Sequence, residues 1–288
     1  MQRGGGTAGD PAGVGPRPGP SLRCSAGTGA GALALTNMAN NGTLELTGDT
    51  TVTTGDITVT MKDASGNADT FNIVTKVDNA DIIFAGDVVV AGVETININA
   101  IDLSPVNTTT GVATIEEASL ILTANLAKTV NVTGNSDVDL TLTGSTLVTL
   151  IDGSSMTGAL TATTAVSASA ATIKGGSGDD KLTATHDNDV LIGGKGADTL
   201  TVTTGNLVQL HGGEGKDTYE IGATGNQNAY ATINGTKAEL SGDVIKFTGL
   251  TGFNDAKIVL GDTAVFQDYV NEAAKGNGVA KAASYFVW

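Results

Sequence analysis

The sequence predicts an all-β fold: an elongated parallel β-solenoid or β-roll with short Thr-rich β-repeats and a small C-terminal α/β cap. Three observations carry this reading. Forty glycines stand against five prolines in 288 residues and aromatic content is 4%, so turns are frequent and the interior is thin. Short β-branched segments alternate apolar and polar residues, which buries one face of a strand and wets the other. Further along, a repeat near 20 residues with glycine-marked corners matches the period of stacked coils.

The elements follow in chain order. Residues 1–33 are Gly/Pro/Ala-rich, with Gly4-Gly5-Gly6 and Pro16-Arg17-Pro18-Gly19-Pro20. They lack hydrophobic periodicity and read as a disordered leader foreign to the rest. Residues 34–120 form a β-strand repeat region, with strands at 43–47, 57–61, 71–74, 82–84, 88–90 and 95–98. Residues 121–222 form the parallel solenoid. Its units close on Gly134, Gly153, Gly175, Gly193 and Gly212, which lie 19, 22, 18 and 19 residues apart. Residues 223–288 form the cap, with strands at 243–247 and 257–260. One helix is expected at 263–275, where Val265, Phe266, Tyr269, Val270, Ala273 and Ala274 recur at helical spacing. The last four residues, Tyr285-Phe286-Val287-Trp288, read as a strand cut from a longer chain.

Fifteen basic residues against thirty acidic ones give a net charge of −15. Binding to nucleic acid or to an anionic membrane surface needs a clustered basic face, so neither fits. A surplus of carboxylates suits divalent cations or solubility, and composition alone does not separate the two. A single cysteine, Cys24, excludes an internal disulfide framework and a Cys-based zinc site. No apolar run approaches the roughly 18 residues of a membrane span. The start carries Arg3, Arg17 and Arg23 without an apolar segment, so no secretory signal peptide is read there.

Three segments share the pattern Gly-Gly-x-Gly-x-Asp-x-U-x, with U large and apolar or aromatic. They are Gly175-Gly176-Ser177-Gly178-Asp179-Asp180-Lys181-Leu182-Thr183, Gly193-Gly194-Lys195-Gly196-Ala197-Asp198-Thr199-Leu200-Thr201 and Gly212-Gly213-Glu214-Gly215-Lys216-Asp217-Thr218-Tyr219-Glu220. Between the first two, residues 184–192 keep Asp189 and lose the glycines. Between the second and third, residues 202–210 keep only the length, with His211 as one extra residue.

This pattern resembles the RTX repeat, whose nonapeptides wind into a right-handed parallel β-roll with two nonapeptides per coil. The resemblance implies that Gly175, Gly193 and Gly212 mark one edge and residues 184–189 and 202–207 the other. Glycines let carbonyl oxygens approach the space between turns. Coils about 4.8 Å apart would stack Asp180, Asp198 and Asp217 into a carboxylate ladder. Like charges at that separation repel by roughly 3–4 kcal/mol at an effective dielectric near 20. A calcium ion between turns reverses the sign, taking six or more oxygens at about 2.3–2.6 Å, whereas magnesium demands a tighter octahedron.

One calcium is thereby expected between residues 175–180 and 193–198, and a less secure second one between 193–198 and 212–217. The implied ligands are Gly175, Gly176, Ser177, Gly178, Asp180, Gly193, Gly194, Lys195, Gly196, Asp198, Gly212, Gly213, Glu214, Gly215 and Asp217, through carbonyls and carboxylates. Asp189 joins them on the opposite edge as a weak site, with Leu207 read at the matching place in the next coil.

Other groups carry less chemistry. His186 and His211 lack a His-Glu-x-x-His pattern and read as turn residues. Glu116 and Glu117 are adjacent on a strand and so face opposite ways. Ser154 and Ser155 lack the context of a nucleophile elbow.

Outside the roll, Val93-Glu94-Thr95-Ile96-Asn97-Ile98, Met156-Thr157-Gly158-Ala159-Leu160-Thr161-Ala162-Thr163 and Phe266-Gln267-Asp268-Tyr269-Val270 resemble the C-terminal part of bacterial RTX-type S-layer proteins, over residues 65–288. That resemblance implies a secreted, non-enzymatic cell-surface protein, exported by type I secretion. It also implies calcium-dependent self-association into a lattice and a cell-surface polysaccharide as a further partner. The rival reading is a calcium-binding export and folding module of a larger RTX enzyme or adhesin.

Overall fold

The computed structural model describes residues 21–25, 32–48, 55–78, 82–104, 115–164, 167–222, 231–236, 239–247 and 285–287. Among them there is no helix, and the strands fall into two sheets. One sheet stacks β1 (Ser21–Ser25), β3 (Gly42–Gly48), β5 (Thr70–Val77), β7 (Thr95–Asp102), β9 (Thr129–Gly134), β11 (Leu150–Met156), β13 (Thr172–Lys174), β15 (Val190–Lys195), β17 (Gln209–Glu214) and β19 (Thr232–Ile233). The other stacks β2 (Leu33–Met38), β4 (Ile57–Met61), β6 (Ile82–Ala91), β8 (Glu117–Thr123), β10 (Asp137–Leu142), β12 (Leu160–Thr163), β14 (Lys181–Ala184), β16 (Thr199–Val202), β18 (Thr218–Ile221) and β20 (Val244–Phe247), and β21 (Tyr285–Val287) closes it.

Chain order alternates between the sheets, so each coil gives one strand to each and every strand pairs with those of the coils before and after. All pairs are parallel except β20 with β21, which is antiparallel. The expected all-β parallel roll is therefore present, and its coiling is the same on both sides of residue 120.

Alternation along each strand builds the core. In one sheet Phe71, Ile96, Val130, Ile151, Ile173, Leu191 and Leu210 share a single register column, and none exposes more than 2% of its surface. Leu182, Leu200 and Tyr219 do the same in the other sheet. Each such side chain contributes about 1.5–3 kcal/mol of apolar burial, gained only when the next coil stacks on it. The outer face is braced by like side chains in register. Asn97 donates to Asn72 Oδ1 at 3.0 Å, and Asn131 to Asn97 Oδ1 at 2.8 Å. Identical amides one coil apart satisfy each other in this way along a parallel stack.

Three details differ from the sequence reading. Strand β1 lies inside the segment expected to have no structure. It begins just after Pro20, where backbone N–H groups become available to pair with β3. The two short strands read at 82–84 and 88–90 are one strand, β6, with a register irregularity between Ile83 and Asp87. The extra residue assigned to His211 lies elsewhere. His211 pairs in register with Ile192, and it is the turn after Val202 that is longer by one residue, because Val202 matches Ala184 and Gln209 matches Val190. The partner of Asp189 in the next coil is consequently Val208, while Leu207 sits in the turn at φ +58° with its side chain exposed. The strand expected at 257–260 and the helix expected at 263–275 lie outside the described residues.

Candidate metal centre

The three Gly-rich turns, at 175–180, 193–198 and 212–217, run from the first sheet to the second and stack along one edge. Because the longer turn is on the far edge, Gly194 stays level with Gly213 and Lys195 with Glu214. Strand register is therefore kept into the second inter-turn gap, with the inserted residue accommodated on the other edge.

Glycine is required by contact here. A Cβ on Gly193 would overlap Asp198 Oδ2 and lie 2.6 Å from the Gly212 carbonyl oxygen. A Cβ on Gly175 would overlap Asp180 Oδ2 and lie 2.5 Å from the Gly193 oxygen. Gly194 and Gly213 also hold φ near +115°, at +118° and +112°, which L side chains avoid.

The aspartates form a continuous ladder. Leu160 N–H donates to Asp180 Oδ1 at 2.6 Å, Asp180 N–H to Asp198 Oδ1 at 2.8 Å, and Asp198 N–H to Asp217 Oδ1 at 3.0 Å. Asp217 N–H continues the series to Asp243 Oδ1 at 3.0 Å. Asp180, Asp198 and Asp217 expose at most 1% of their surface. One oxygen of each is thus spent on the coil before. Asp180 Oδ2 accepts from Gly176 N–H at 2.7 Å, but Asp198 Oδ2 and Asp217 Oδ2 are buried without a hydrogen-bond partner.

A buried carboxylate oxygen with no donor is costly unless a proton or a cation satisfies it. Burial pushes the Asp198 carboxyl up to about 8, with the charges of Asp180 and Asp217 adding to the effect. Burial likewise lifts Asp180 and Asp217 to about 6. The donor set is all oxygen: two unpartnered carboxylate oxygens beside glycine carbonyls. That is the chemistry of calcium rather than of a soft metal. Among the described residues no three His, Cys, Asp or Glu side chains converge as a metal-holding group.

The remaining residues of the motif have other places. Ser177, Lys195 and Glu214 face outward. Lys195 Nζ pairs with Glu214 Oε2 at 2.7 Å on the surface, and Ser177 Oγ donates to the Met156 carbonyl at 3.2 Å. Asp189 on the opposite edge is buried and fully engaged. Its Oδ1 accepts from Ala171 N–H at 2.8 Å, and its Oδ2 from Thr164 Oγ1, Thr185 N–H and His186 N–H at 2.6–3.1 Å. In this arrangement Asp189 staples its own turn. His186 and His211 touch Thr185 and Asn234 respectively.

One participant escaped the motif, and one residue inside it has a further role. Asp243 extends the ladder, and Tyr219 ties it together: its hydroxyl accepts from Gly212 N–H at 3.1 Å and donates to Asp243 Oδ2 at 3.3 Å. The legible signal was Gly242-Asp243-Val244-Ile245, which keeps the Asp and the apolar place two residues on.

The site is a glycine-turned parallel roll with buried inter-coil carboxylates, two of whose oxygens have no hydrogen-bond partner. Consistent with this, residues 168–200 match the family model described as the RTX calcium-binding nonapeptide repeat (4 copies). The chain carries RTX calcium-binding repeats, and the matched stretch holds the first two Gly-rich turns; the third follows from the geometry. No curated protein matches the chain. Among the described residues no helix is long and apolar enough to cross a membrane.

Proposed function

We propose that this protein is an extracellular, calcium-ordered structural protein, part of a surface-layer lattice exported by type I secretion. It acts as scaffold and not as an enzyme. Calcium between the turns at 175–180, 193–198 and 212–217 neutralises the aspartate ladder and allows the coils on either side to close. The carrying observation is the pair of buried, unpartnered oxygens, Asp198 Oδ2 and Asp217 Oδ2, between glycine turns held in register. The long two-sheet roll with Thr- and Asn-lined outer faces, resembling S-layer proteins in sequence, supports the lattice reading. So does the general association of RTX repeats with exported proteins.

Circular dichroism and electron microscopy on the same sample test both levels. Added calcium is expected to raise the β signal and EDTA to reverse it. Ordered sheets are expected at millimolar calcium. An EDTA-resistant spectrum would sink the calcium reading, and folded monomers persisting in calcium would sink the lattice alone.

A further inference from the structure

The edge opposite the RTX turns carries its own column of register-matched positions. Strand pairing places Asn40, Asp69, Glu94 and Lys128 at successive levels of it. Asp69-Thr70-Phe71 and Glu94-Thr95-Ile96 each place an acid two residues before a fully buried core side chain, as Asp198-Thr199-Leu200 does. Asp69 N–H donates to Glu94 Oε2 at 2.8 Å, the same rung that joins Asp180 N–H to Asp198. Neither segment has the Gly-Gly-x-Gly prefix, and both lie outside the matched repeat.

Asp69 is only 7% exposed, and its two oxygens are unequal. Oδ1 accepts from Asn40 Nδ2 at 2.7 Å, whereas Oδ2 is buried without a hydrogen-bond partner. That free oxygen is the atom nearest Gly66, where a Cβ would come within 2.6 Å of it. It therefore points into the turn preceding β5, as the free oxygen of Asp198 does against Gly193. Among the described residues neither Asp69 nor Glu94 has an ion-pair partner within 4.0 Å. Lys128, at the next level, is exposed and donates only its backbone N–H to the Glu94 carbonyl, at 2.9 Å. Successive acids thus span a single inter-coil gap at this end of the column; Asp189 lies in the same column three levels beyond Lys128.

We infer that Asp69 and Glu94 form a second kind of divalent-cation site, on the edge opposite the RTX turns and near the other end of the roll. Asp69 Oδ2 is the leading ligand, Glu94 supplies the second carboxylate, and carbonyls of the turn before Asp69 complete the shell. Two carboxylates favour calcium over softer metals. Asn40 positions Asp69 by holding Oδ1, and Lys128 stands in place of an acid at the next level so that one ion is taken. The roll would then be clamped by calcium at two places, on opposite edges.

The test uses the full chain with calcium alone as probe. Hydrogen exchange on the unmodified protein should show calcium-dependent protection at residues 66–70 and 94–96, besides that at 175–217. By equilibrium dialysis, Glu94→Gln, which keeps an oxygen acceptor for the Asp69 N–H, should bind one ion fewer or bind that ion at least about tenfold more weakly, with the response at 175–217 retained. Asp198→Asn should do the reverse, keeping protection at 66–70. Calcium-independent exchange at 66–70 and 94–96 in the unmodified protein overturns the inference, as does an unchanged ion count and affinity in Glu94→Gln. Protection at 66–70 without any at 175–217 would keep this site and sink the reading of the RTX turns.

Discussion

Asp180 and Asp198, eighteen residues apart, are joined by a 2.8 Å hydrogen bond from the backbone N–H of one to the carboxylate Oδ1 of the other. The bond fixes coil spacing and orients the second oxygen of Asp198 into the gap, where no protein donor reaches it. The same carboxylate thus serves as a rung of the fold with one oxygen and leaves the other unsatisfied.

Replacing Asp198 by Asn separates these two roles. The amide oxygen still accepts from Asp180 N–H, but the ligand charge is lost. Calcium affinity measured by titration calorimetry should fall by about tenfold or more, because ligand charge count sets affinity in oxygen sites. In EDTA the same variant should differ by only about 0.5 kcal/mol at neutral pH, since burial already favours the uncharged carboxyl there.

Gly193→Ala should abolish the calcium response. Its Cβ would collide with Asp198 Oδ2 and lie 2.6 Å from the Gly212 oxygen, so turn and carboxylate cannot both keep their places. The steric cost is about 1–3 kcal/mol, and calcium-dependent change in the β spectrum should be lost even where the rest of the roll stays folded.

The calcium-free protein should be more stable in acid than at neutral pH. The folded-state values of Asp180 and Asp217, about 6, and of Asp198, about 8, lie above the ordinary carboxyl value of 3.8. A raised folded pKa gives a contribution fully present below the unfolded value and lost as pH rises through the folded one. Thermal melts in EDTA should therefore lose stability from about pH 4 to about pH 8 through these groups. Saturating calcium should reverse the trend by displacing the protons. A calcium increment in melting temperature that fails to grow with pH over this range would refute the assignment.

The ladder was legible because its chemistry is written in a local pattern: glycines to admit the carbonyls, an acid, then an inward apolar residue. Asp180, Asp198 and Asp217 all follow it. Asp243 was missed because only the second half of the pattern remains, the acid and Ile245, without the double glycine. Placement of the extra residue was illegible for another reason. Spacing counts residues between motifs but does not say which of two turns absorbs an insertion; that is decided by strand pairing, which holds His211 opposite Ile192. Strand β1 was hidden by its Gly/Pro-rich surroundings, since its partner β3 supplies the pairing that composition argues against.

Asp189 differs from Asp198 and Asp217 in that both of its oxygens accept hydrogen bonds. It occupies the acidic place of a degenerate nonapeptide, yet its oxygens accept four hydrogen bonds, from Ala171 N–H, Thr164 Oγ1, Thr185 N–H and His186 N–H. Removing it strands buried donors, each costing about 1–3 kcal/mol, so Asp189→Ala should lower stability by roughly 3 kcal/mol or more in denaturant melts with and without calcium. Its coil successor is the apolar Val208, which offers a cation nothing. At temperatures where the variant remains folded, the number of calcium ions bound should equal that of the unmodified chain. Loss of one ion, with stability in EDTA unchanged, would instead make Asp189 a ligand on the same edge as Asp69 and Glu94.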